Sequence, residues 1–75
     1  MPKLPRVTAR QLVAACLRAG FYIHHQSGSH LNLRHRLKTH LHVVIPYHSG
    51  TLAPKTIKTI VAQAELTIAV LKSLL

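Results

Sequence analysis

Between residues 21 and 46 the apolar side chains return at nearly every second position. In HLNLRHRL, Leu31, Leu33 and Leu37 share one parity, while His30, Asn32, Arg34 and Arg36 share the other. In HLHVVIP, Leu41, Val43 and Ile45 point one way and His40 and His42 the other. In FYIHHQ, Phe21 and Ile23 oppose Tyr22, His24 and Gln26. A period of two belongs to strands that bury one face only. Ser27-Gly28-Ser29 separates the first two runs with a turn signal, and Pro46 ends the third. The lengths and the alternation predict an antiparallel meander of three strands, with one oily face and one wet face. The wet face collects the cations and most of the histidines.

On both sides of this stretch the period becomes helical. Thr8 followed by Gln11 is a T-x-x-Q capping box, with Val7 and Leu12 at the positions of a hydrophobic staple. Ala9, Leu12, Val13, Cys16 and Leu17 form one apolar stripe, and Gly20 is placed to cap the helix C-terminus. After Pro46, YHSGTLA reads as a loop. Pro54 suits a first helical turn, and Ile57, Ile60, Val61 and Ala64 then repeat at helical spacing. Thr67 can cap a last short helix that buries Val70, Leu71 and Leu74. The order is α-β-β-β-α with a short C-terminal helix, an α+β fold in which the helices cover the oily face and leave the other open. Residues 1–6 read as a loose basic lead-in. The whole of 1–75 reads as one small domain, of a size that buries only ~60% of its unfolded surface.

Ten Lys and Arg residues face a single carboxylate, Glu65, for a formal net charge of +9. Such a field favours a polyanionic partner: nucleic acid, an anionic membrane or an acidic protein. The cations are spread over helices and strands rather than along one amphipathic helix, which argues against the membrane surface. One carboxylate cannot build a two-metal nuclease cage or a carboxylate pair. One cysteine, Cys16, permits no internal disulfide, so a reducing cytoplasm is the expected compartment. MPKLPRVTAR has no apolar run of the signal-peptide kind, and no stretch approaches the ~20 apolar residues of a membrane-spanning helix.

Seven histidines invite a metal site, with His40-x-His42 as a conceivable pair. Zinc sites usually add Cys or a carboxylate, and ligating imidazoles lean on a second carboxylate. The chain has almost none, so no metal or other cofactor is expected. His24, His25, His35 and His40 read as polar filling of a solvated sheet face. A Ser-His-Asp triad is impossible without aspartate, and Cys16 lies on an apolar stripe. RNA cleavage suits the inventory better. RNA carries its own nucleophile, the 2′-hydroxyl, and an imidazole with nearby cations meets the remaining needs. His30 follows Gly28-Ser29 and begins a strand on the wet face, two residues from Asn32 and four from Arg34. A glycine turn exposes backbone N–H groups that can meet a phosphate. His30 is therefore the candidate catalytic residue; the other reading is a turn histidine that closes a strand. Asn32, Arg34, Arg36 and Lys38 are candidates for holding RNA, or form a solvated charged edge. His42 and His48 are candidates for a second proton-transfer group, or serve structure.

These residues resemble a known family. FYIHHQ, Gly28-Ser29-His30, HVVIPYHSG and LAPKTIKTIVAQAEL, in that order and at this length, are similar to the HicA toxins of bacteria and archaea. The resemblance runs from about Val7 to Leu75. It implies a double-stranded-RNA-binding-domain-like fold and a metal-independent endoribonuclease that cleaves mRNA. It also implies a catalytic role for His30, positioned by Gly28 and Ser29, and a HicB-type antitoxin that blocks the active face. The sequence departs from many relatives at Leu31, where another polar or aromatic residue follows the motif, and in the density of Arg and His on the second strand. The alternative reading is a non-catalytic RNA-binding module of the same fold.

Overall fold

A computed structural model describes residues 3–75 and contains the expected order of elements. They are α1 (Ala9–Arg18), β1 (Phe21–Ser27), β2 (His30–His35), β3 (His42–Pro46), α2 (Pro54–Gln63) and α3 (Ile68–Leu74). The strands form one antiparallel sheet in the order β1-β2-β3. The first helix starts where its cap says it must. The Gln11 backbone N–H donates to Thr8 Oγ1 at 3.1 Å and the Thr8 N–H donates to Gln11 Oε1 at 2.9 Å, so two otherwise orphaned donors are satisfied. Val7 and Leu12, the staple pair, are both buried. Pro54 opens α2, and Thr67 caps α3 by accepting from the Val70 N–H. The expected loose lead-in lies partly outside the described residues, at 1–2; Leu4 within it packs on the core.

One side of the sheet is oily and covered. Leu31, Leu33, Val43 and Ile45 are buried there with Phe21, beneath Leu12 and Cys16 of α1, Ile57, Ile60 and Val61 of α2, and Leu71 of α3. The helix α1 packs on β1, β3 and α3, and α2 packs on β3. Because α1 touches a helix as well as the sheet, its buried arc is turned toward Ala15, which is fully buried. Leu17, expected in the stripe, is exposed. Val70, expected in the core, is exposed on α3 for the same kind of reason: Leu71 takes the inward position, and Leu74 is partly buried against the core.

Three strand expectations are corrected. A bulge falls between Ile23 and His25, so that Ile23 pairs with Leu33 but His25 pairs with Asn32. One extra residue reverses the faces beyond it. Tyr22, His25 and Ser27 therefore share the wet face, and Gln26, opposite Leu31, turns to the other. Ile23 keeps its oily-side register but is exposed at the sheet edge. The second strand ends at His35, so Leu37 stands in a bend and is 85% exposed rather than on the oily face. The third strand begins at His42, and His40 lies in the turn before it.

His35 is not a solvated filler. Its Nε2–H donates to the Ala19 carbonyl at 3.0 Å, and its Nδ1 accepts from the Leu37 and Lys38 N–H groups at 3.1 and 2.9 Å. Its ring meets Phe21 edge-on at 4.8 Å. Gly20, with φ +101°, leaves room for it; a Cβ there would lie 2.8 Å from His35 Nε2.

Candidate functional site

The open face is a short ladder of three rungs. Antiparallel partners point to the same side of a sheet, so the register places Tyr22, Arg34 and His42 together, then His25, Asn32 and Val44, then Ser27, His30 and Pro46. His30 is exposed on the last rung, directly after the turn. That turn has two central residues. Gly28 has φ +59° and Ser29 is not in the left-handed region, the pattern of a II′ hairpin turn with glycine first. Nothing lies within 4 Å of where a Gly28 Cβ would be, so this glycine serves backbone conformation rather than close packing. The Tyr47 N–H donates to the Ser29 carbonyl at 2.6 Å and ties the turn to the end of β3. His35, His40, His42 and His48 hold ring hydrogen bonds, and His30 is not among them. The backbone sets its place on the rung, and no ring hydrogen bond among the described residues holds its imidazole.

The other candidate residues divide into two groups. Asn32 and His42 meet directly, with His42 Nε2–H donating to Asn32 Oδ1 at 3.0 Å. Arg34 is half-buried beside them, and Arg36 lies 5.4 Å above the Tyr22 ring in a cation–π contact. Lys38 is exposed in the loop that follows. Asn32 stands on the rung next to that of His30, Arg34 lies toward the far end of β2, and Arg36 and Lys38 lie beyond it. Four strand residues span roughly 13 Å, so Arg34 and His42 stand well apart from His30 along the face. His48 sits at the His30 end, two residues beyond Pro46, which is paired with His30. Its Nδ1–H donates to the Ser49 carbonyl at 2.9 Å, which leaves Nε2 as the accepting nitrogen.

His40 leaves the open face altogether and lies 3.4 Å from Glu65, beyond the end of α2. No His40–His42 metal pair forms, and among the described residues no group of three or more His, Cys, Asp or Glu side chains is arranged to hold a metal ion. Cys16 is buried, and loss of solvation pushes its thiol up to about 11. No helix among the described residues is long and apolar enough to cross a membrane.

Arg10 stands in no motif, yet it lines one groove together with Tyr47 and His48. Leu52 N–H donates to the Val7 carbonyl at 2.9 Å and Thr51 bridges to Thr8, so the loop after β3 is clipped to the start of α1. No local spacing signals that contact, because the two segments lie far apart along the chain.

The model of one protein family, described as the HicA toxin of bacterial toxin-antitoxin, matches residues 9–66. No curated protein matches the chain.

Proposed function

The chain belongs to the HicA toxin family of bacterial toxin–antitoxin systems, and from that premise we propose that it is an endoribonuclease that cleaves mRNA through His30. The observation that carries this reading is His30 itself. It is an exposed imidazole held by a II′ turn, on an open sheet face whose carboxylates are absent and whose far end is cationic. His30 takes the proton of the 2′-hydroxyl. The 2′-oxygen–phosphorus bond then forms as the bond from phosphorus to the 5′-oxygen breaks, and the leaving oxygen takes a proton from water or from a second acid. The products are a 2′,3′-cyclic phosphate and a free 5′-hydroxyl. The reaction needs no metal or other cofactor. Gly28 and Ser29 position the imidazole, and Asn32, Arg34, Arg36 and Lys38 hold the RNA further along. Neither His42, bonded to Asn32, nor His48, in the loop beyond Pro46, is required to protonate the leaving oxygen, because water can supply that proton.

A toxin of such a system has an antitoxin partner. A HicB-type protein with an acidic surface, seated over the open face, would block the site and match the net charge of +9. Within this reading the chain acts as a single domain in the cytoplasm.

The test is single-turnover cleavage of a mixed-sequence RNA in EDTA by wild type and His30→Ala, with circular dichroism on both. Cutting by the wild type and none by a folded variant supports the proposal. RNA binding without cutting by either protein would make the chain a non-catalytic RNA-binding module. Equal cutting of DNA would rule out the 2′-hydroxyl mechanism.

A further inference from the structure

A groove of about 450 Å³ opens at the end of the sheet, lined by Thr8, Arg10, Tyr47, His48, Ser49 and Gly50. It lies round the corner from His30. Pro46 is paired with His30, and Tyr47 is the next residue, its N–H bonded to the turn that carries His30. Three kinds of recognition meet there. Tyr47 is 42% exposed and presents a ring for stacking. His48, with Nδ1–H engaged by Ser49, offers Nε2 as an acceptor for a donor on a base edge. Arg10, an exposed cation of α1, lines the same groove. Tyr47 and His48 stand on a loop clipped to α1 by the Leu52–Val7 and Thr51–Thr8 pairings, so the groove is preformed.

We propose that this groove is a nucleotide subsite: it takes one unpaired base of the RNA, next to the scissile phosphate, and so sets where the protein cuts. The inference rests on the nuclease function proposed for His30. Tyr47 stacks on the base, His48 Nε2 accepts from a base N–H or amino group, and Arg10 meets the adjoining phosphate. Single-stranded RNA is read in this way elsewhere, by stacking on aromatics and hydrogen bonding to splayed base edges. A duplex would not offer its bases to the groove.

The experiment maps cut positions in a randomised RNA oligonucleotide by sequencing, for wild type, Tyr47→Ala, Tyr47→Phe and His48→Ala. It is paired with steady-state kinetics on the best-cut oligonucleotide. Tyr47→Ala should raise KM about tenfold, the loss of one base stack, and flatten the preference at one position beside the cut. The change in kcat should be much smaller. Tyr47→Phe should retain the wild-type pattern, because the ring is kept. His48→Ala should relax the same position. If the wild type cuts and all three variants keep its pattern and KM, the subsite is wrong while the nuclease function stands. Variants that change only antitoxin affinity would overturn the subsite in the same way. If the wild type cuts nothing, the nuclease function fails, and NMR titration of the wild type with a short mixed-sequence single-stranded RNA decides the groove. Shifts at Tyr47, His48 and Arg10 would support a nucleotide site, and none would overturn it.

Discussion

His30 and Cys16 are the two side chains whose chemistry most depends on where the fold puts them. His30 is exposed on the open face; Cys16 is enclosed by the core. Cys16 has its pKa raised to about 11 by desolvation. It should resist iodoacetamide at pH 8 in the folded protein and react at once in denaturant, which mass spectrometry would read. A folded pKa above the unfolded value of 9.0 means that the folded chain holds its proton longer. The contribution to stability is intact below pH 9 and is lost between about pH 9 and 11, by roughly 2–3 kcal/mol. A Cys16→Ala variant should show less of this alkaline loss in urea titrations at pH 8 and 10. At the turn, Gly28→Ala should cost about 1 kcal/mol through its positive φ. With nothing near the added methyl, the variant should fold and cut RNA more slowly through a displaced His30, without gross loss of RNA affinity.

At the scale of elements, the cap of α1 and the bulge of β1 do most to orient the face. Thr8→Ala removes the acceptor for the Gln11 N–H and should lower stability by about 1 kcal/mol. In a domain of this size that corresponds to roughly 4–8 °C in Tm by calorimetry. The two sheet edges differ. On β3 the Val44 N–H, which would otherwise face water, donates to Gln63 Oε1 of α2 at 3.1 Å. On β1 the bulge at His24 interrupts the ladder, a device that discourages pairing with another chain. Capping and turn chemistry are legible in the sequence because they act over three or four residues. The bulge is not: the adjacent His24 and His25 carry no mark of which residue is extra, and pairing with β2 alone decides it.

The whole molecule is a polycation over a small core. Leu33, fully buried in the central strand, touches the heart of that core. Leu33→Ala should cost about 2–5 kcal/mol, enough to unfold much of the population of so small a domain. The charge acts outward. For single-stranded RNA, log affinity should fall with log salt by about 0.7 per phosphate contact. Replacing Arg34, Arg36 and Lys38 together by Gln should therefore reduce the slope by about 2, measured by fluorescence anisotropy across a salt series. An unchanged slope would make that cluster a solvated edge and leave RNA binding to the rest of the surface.

The sequence by itself determined the element order, the helix starts, the turn before His30 and the separation of one oily face from one wet face. Each is written in a period or in a spacing of a few residues, and local sterics and hydrogen bonds enforce it. Tertiary structure alone decided which histidines share a face, since register and the bulge moved His25 onto it and a turn moved His40 away. It also decided that His35 is a bonded strut and that Arg10 lines one groove with His48. Those outcomes depend on segments brought together by burial of the core, and distance along the chain says nothing about them.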